Sequence, residues 1–136
     1  MKKQTPSQQA KEKLAGEWFF KAQEDELSAK DILKDKQGAA STVCFLSQQM
    51  AEKLLKGYLV YFGKRFPKIH HLDRLLKLCE GVDSDFKEIK EEAELLSAFY
   101  VTTRYPGDYP IFNFQDAEDA FRRAMKIRQF VMERIR

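Results

Sequence analysis

Residues 41–63 read STVCFLSQQMAEKLLKGYLVYFG, and this stretch decides the fold. Leu46, Met50, Ala51, Leu54, Leu55, Tyr58, Leu59, Tyr61 and Phe62 recur at the spacing of a helix rather than in strict alternation. At roughly 100° per residue, Gln49, Glu52, Lys53 and Lys56 fall within one arc of roughly 100°, and most of the remaining circumference is apolar. A helix apolar on so many sides belongs in the middle of a bundle. Its polar stripe must then face water, a polar cleft or a second subunit. Ser41 is the expected cap at its start, and Gly63 closes it.

Further helices flank this one. Trp18, Ala22, Ala29 and Ile32/Leu33 share a face, so a helix is expected from Trp18 to about Lys36, closed by Gln37-Gly38. Residues 1–16, polar and carrying Pro6 and Gly16, read as a flexible tail ahead of a domain over 17–136. Beyond Pro67, Leu72, Leu75, Leu76 and Cys79 mark a short third helix ending at Gly81. Asp85 and Glu88 have the spacing of a capping box opening a fourth helix, with Phe86, Ile89, Ala93, Leu96 and Tyr100 inward. Pro106 ends that helix near Arg104, and the loop Tyr105–Phe112 follows. Asn113 caps a fifth helix with Ala117, Ala120, Phe121, Ala124, Ile127, Val131 and Ile135 inside. The expected fold is all-α, an up-and-down bundle of four to five helices.

Composition agrees. The chain has 136 residues, enough for one core, and its 6 Gly and 4 Pro exclude a many-turned β architecture. No apolar run approaches the roughly 18 residues of a membrane span, and the Lys-rich start lacks the apolar stretch of a secretory signal, so a cytoplasmic protein without membrane contact is expected. Cys44 and Cys79 make neither a metal-ligand spacing nor a disulfide framework, and read as buried thiols. The net charge is only +3, but it is blocked: Arg122, Arg123, Lys126, Arg128, Arg134 and Arg136 face Glu133 alone, while residues 83–94 are mostly acidic. Such blocks suit a phosphate-bearing ligand or an acidic partner, or else solvated helix faces.

Three places can hold chemistry. The stripe Gln49, Glu52, Lys53, Lys56 is either a groove lining or a surface pair of Glu52 with Lys56. Arg104 continues the inward face of the fourth helix, where a guanidinium either satisfies the last carbonyls or clamps a phosphate. His70 and His71 precede the third helix, and adjacent histidines do not share a face, which argues against a metal site. No Gly-rich phosphate loop, nucleophile elbow or cofactor motif is present, so no cofactor is expected.

Taken in order, Cys44, Gln49, Ala51, Glu52-Lys53, Lys56, Tyr58-Leu59, Phe66-Pro67, Lys68, His70, Leu72, Tyr100 and Arg104-Tyr105-Pro106 resemble the HEPN domain family (higher eukaryotes and prokaryotes nucleotide-binding) over residues 17–132. The Gln-x-x-Glu-Lys-x-x-Lys and Arg-Tyr-Pro elements are the specific part. The resemblance implies a helical bundle, usually a homodimer, in a prokaryotic cytoplasm. It also implies a nucleotide ligand, or partnership with a minimal nucleotidyltransferase in a toxin–antitoxin pair. Family members that act as ribonucleases carry an Arg, four to six residues, then a His. Arg104 matches the Arg, but Tyr109, Pro110 and Ile111 occupy the His positions, and His71 stands where the family usually has Asp. The side chain that would move protons is missing there, so a ribonuclease toxin or a ligand-free structural subunit is the alternative to a binding module. In the binding reading Arg104 clamps phosphate, Lys53 adds charge, Tyr105 or Tyr109 stacks a base, and His70 makes a polar contact. Arg104, Lys53 and His70 are expected to converge on one cleft.

Overall fold

The computed structural model describes residues 6–99 and 111–135. Among them lie five α-helices and no strand: α1 (Pro6–Asp35), α2 (Ala40–Tyr61), α3 (Leu72–Glu80), α4 (Lys90–Ser97) and α5 (Phe114–Met132), with a 3-10 segment, Ser84–Ile89, ahead of α4. The architecture is the all-α bundle expected.

As the apolar circumference of residues 41–63 requires, α2 is central. It packs against α1, α3, α4 and α5. Met50, Ala51, Leu54, Leu55, Tyr58 and Leu59 are buried along it. Across it lie Ala22 and Ala29 of α1, Leu75 and Leu76 of α3, Phe86 and Ile89 of the 3-10 segment, and Ala120, Ala124 and Ile127 of α5. Small residues on α1 and α5 let both helices approach α2 closely. Gly57 marks the tightest point: a Cβ there would lie 2.5 Å from Cε1 of Phe19. Gly57→Ala is therefore expected to destabilise by about 1–3 kcal/mol through overpacking, although alanine is the better helix former. Urea denaturation checks this, and a gain in stability would show that the Phe19 ring moves aside freely.

Several boundaries differ from the sequence reading, each for a local reason. α1 begins at Pro6, so residues 6–16 are helix rather than tail. Proline suits a first helical turn, and Ala15 is fully buried, so tertiary contact extends the helix through Gly16. Ser41 is not the cap of α2; Ala39, extended and without a side-chain bond, precedes the helix. The acid that opens the fourth region is Asp83, whose carboxylate accepts from the Asp85 backbone N–H at 2.9 Å, so the first turn is 3-10 and α4 starts later, at Lys90. Asn113 does cap α5: its side chain accepts from Asp116 N–H at 2.8 Å, and its own N–H donates to Asp116 at 3.0 Å. Phe121 and Ile135 are only partly buried, while Phe130, not read as inward, is buried. The inward placement of Tyr100 and the helix end at Arg104 lie outside the described residues.

α1 and α2, joined by a short loop, are antiparallel. Along α1 and α2, Asp25 meets Lys53 and Trp18 meets Lys56, so the register runs oppositely. α2 and α3 are different. The connector over residues 62–71 runs back along α2, bringing Phe66 near Lys56 and His70 beside Glu52. That return is what builds the site.

Candidate functional site

Gln48, Glu52 and Lys56 sit at successive i,i+4 positions of α2 and form one buried polar line. Glu52 is 4% exposed and Lys56 6%. Oε2 of Glu52 accepts from Nζ of Lys56 at 2.8 Å and lies 3.0 Å from Nδ1 of His70. The Gln48 amide donates to Oε1 of Glu52 at 3.3 Å and to the His70 carbonyl at 3.0 Å. Its own oxygen accepts from Gln49 at 2.8 Å. Every polar group of this line is therefore engaged, the condition for burying charge in a helical core. The Lys56 ammonium also lies 5.5 Å from the Trp18 ring centre and 5.7 Å from that of Phe66, and these two rings meet edge to face at 6.3 Å. Aromatic faces on a desolvated ammonium add to its stabilisation. The His70 side chain, by contrast, is 48% exposed.

Lys53 turns the other way. Its Nζ donates to Oδ2 of Asp25 on α1 at 2.7 Å. Burial raises the Asp25 carboxyl above its ordinary value despite the opposing hydrogen bond and charge of Lys53. Desolvation outweighs attraction in that pair, which is a weak source of stability. Of the expected site residues, Glu52, Lys56, His70 and Gln49 thus form one network, and Lys53 belongs to a neighbouring pair. Arg104, Tyr105 and Tyr109 lie outside the described residues, as does the expected convergence on Arg104. Ile111, one of the positions where ribonuclease relatives have His, is almost wholly exposed.

Gln48, Asp25 and Phe66 escape a sequence reading. Gln48 has a signal in its four-residue spacing to Glu52, but nothing in the sequence tells it from Gln49. Asp25 has none, and Phe66 entered only through the family resemblance, since both contacts cross between elements.

The blocked charges also resolve. Arg123 and Lys126 of α5 reach Glu92, Arg128 reaches Glu26, and Arg134 reaches Asp83 and Asp85. Arg122 pairs with Asp119 within α5. Arg123, Lys126 and Arg134 thus meet Asp83, Asp85 and Glu92 of the acidic run across elements, a pairing that neither sequence reading named. Cys44 and Cys79 are buried and free. Burial pushes the Cys44 thiol up to about 12 and raises that of Cys79 as well, so neither is a poised nucleophile. Among the described residues no cluster of His, Cys, Asp or Glu is arranged for a metal ion, and no helix is long and apolar enough to cross a membrane.

A buried Glu–Lys pair on the central helix, met by a connector histidine, sits within a stretch whose match to known families is decisive: residues 15–135 match the HEPN domain. The chain belongs to the HEPN domain family. Solved structures agree. The protein TT1696 of Thermus thermophilus is 32% identical, with a TM-score of 0.77 over 88% of this chain and 96% of that one. ST0689, described as an archaeal HEPN homologue, is 27% identical, with a TM-score of 0.73 over 90% of this chain and 98% of that one. No curated protein matches the chain. In this HEPN bundle the Glu52–Lys56 part of the α2 stripe is therefore not a solvated face. It is an internal brace that fixes the connector before α3.

Proposed function

We propose that this HEPN protein is a binding module that takes a nucleotide at the edge where His70 and Gln49 border the buried Glu52–Lys56 pair. The observation that carries this reading is the network itself: three buried polar side chains of the central helix hold one half-exposed imidazole in place. Holding the connector alone needs no ionised pair, since apolar packing holds helices at least as well. In this reading Arg104 supplies the phosphate clamp and Tyr105 or Tyr109 the stacking surface. Trp18 is the only tryptophan and lies against the network, so it reports binding directly. Titrating the protein with AMP and ATP is expected to change Trp18 fluorescence saturably. His70→Ala is expected to weaken the affinity roughly tenfold, the range of one charged or polar contact. No saturable change up to millimolar nucleotide rejects the site.

We also infer a homodimer. Tyr58 of α2 is buried, and exposed apolar surface lies on α1, where Phe20 and Leu27 are 58% and 57% exposed. Seven residues apart, they share one face of α1, beside an open groove lined by Gly16, Met50, Leu54 and Met132. A symmetric pair is the commonest way to cover such a face, although the groove equally suits a nucleotidyltransferase partner. Light scattering is expected to give twice the chain mass at micromolar concentration, and Phe20→Glu with Leu27→Glu to give the monomer. A monomeric wild-type protein rejects the dimer.

A further inference from the structure

Residues 53–72 contain no Asp or Glu, and the connector within them carries Lys64, Arg65 and Lys68, all exposed. On α5 each basic side chain, Arg122, Arg123, Lys126 and Arg128, meets a carboxylate. The connector is different: among the described residues no carboxylate lies within ion-pair distance of Lys64, Arg65 or Lys68. A fourth cation joins them from another element. Lys11 of α1 is half-buried and likewise without an ion pair among the described residues, and its Nζ lies 2.7 Å from where a Cβ on Gly63 would stand. Gly63, at φ +71°, thus makes the turn and leaves room for the Lys11 ammonium. The row of cations has a direction. Lys64 N–H donates to the Leu59 carbonyl at 2.8 Å, whereas His70 lies beside Glu52, so the row follows α2 from Leu59 back towards Glu52, roughly 10 Å.

We propose that Lys11, Lys64, Arg65 and Lys68 form a polyphosphate site, which holds the phosphates of the bound nucleotide beyond the first. The ligand is then a nucleoside triphosphate rather than a monophosphate. This rests on the nucleotide reading above and extends it from the Gln49 edge along the connector. Like charges strung over so short a distance repel one another, and no described carboxylate offsets them; a linear anion with a charge on every unit does. Lys68, two residues before His70, is nearest the edge, and Lys64 and Lys11 stand at the far end. Arg65 brings a fork that matches two phosphate oxygens, while the lysines act as point charges. An acidic peptide fits less well, because its side chains alternate between opposite faces of an extended chain.

Calorimetric titration in magnesium-free buffer separates the ligands. ATP is expected to bind roughly tenfold more tightly than AMP. Tripolyphosphate is expected to bind on its own, and more weakly at high salt than at low. Lys64→Gln/Arg65→Gln/Lys68→Gln, which changes exposed side chains only, is expected to lose most of the ATP advantage. Lys87→Gln/Lys90→Gln, exposed cations set beside Glu88 and Glu91, is expected to keep it. Equal affinities for ATP and AMP in the wild-type protein overturn the site, as does an ATP advantage that survives the triple variant. Hexaglutamate that displaces tripolyphosphate at equal concentration overturns it in favour of an acidic-peptide surface. Tripolyphosphate bound where no nucleotide adds to its affinity removes the nucleotide reading and keeps the polyphosphate site. ATP and AMP bound alike, with no binding of tripolyphosphate, keeps the nucleotide reading and removes the site.

Discussion

Glu52→Ala is expected to destabilise the protein by about 3–5 kcal/mol, the cost of breaking a buried ion pair from one side. The substitution removes few packing atoms. What it leaves behind is the Lys56 ammonium, 6% exposed, with Glu52 as the carboxylate within ion-pair distance among the described residues. It also takes an acceptor from the Gln48 amide and from the His70 ring. The double variant Glu52→Leu/Lys56→Met is expected to recover most of the loss, because well-packed apolar side chains often replace a buried pair at little cost. Chemical denaturation of the two singles and the double closes a thermodynamic cycle, and a strong coupling is the expected result. A single-variant loss below about 1 kcal/mol would mean that Lys56 swings its charge out to water past Trp18.

The other large effect is at Phe86. Its ring is fully buried, 4.5 Å from the Tyr58 ring centre and 4.9 Å from that of Phe130. It pins the 3-10 segment onto both α2 and α5. Phe86→Ala is expected to cost about 3–5 kcal/mol through lost transfer and an unfilled cavity, lowering the thermal midpoint by on the order of 10 °C for a chain of this size. Phe86→Leu, which keeps much of the volume, is expected to cost less than half as much. Calorimetry of both variants tests this. Similar losses for alanine and leucine would show that ring stacking with Tyr58 and Phe130, rather than volume, sets the cost.

Some of this was legible in the residues alone. The central position of α2 followed from how little of its circumference is polar, and the Asn113 cap from one side chain ahead of an apolar periodic run. Other features were not legible because the deciding contact is distant in sequence. The start of α1 at Pro6 depends on what Ala15 packs against, not on the composition of residues 6–16. The cap at Asp83 rather than Asp85 turned on which of two nearby carboxylates reaches a backbone N–H.

The site divides along the same line. Periodicity placed Glu52, Lys53 and Lys56 together on one arc, and family resemblance singled out His70. Neither says which side chains meet. Lys53 and Lys56 lie on the same arc, yet one goes to Asp25 on α1 and the other to Glu52 in the core. The charge blocks of residues 83–94 and 122–136 suited partners or solvated faces alike, yet Arg123, Lys126 and Arg134 of one meet Glu92, Asp83 and Asp85 of the other. By itself the sequence determined the helices, the order of apolar faces and the family, because these depend on local spacing. Only the tertiary structure decided the partner of each charge. The energy of a charge depends on its burial and on the groups within a few ångströms, and those are set by the return of the connector along α2.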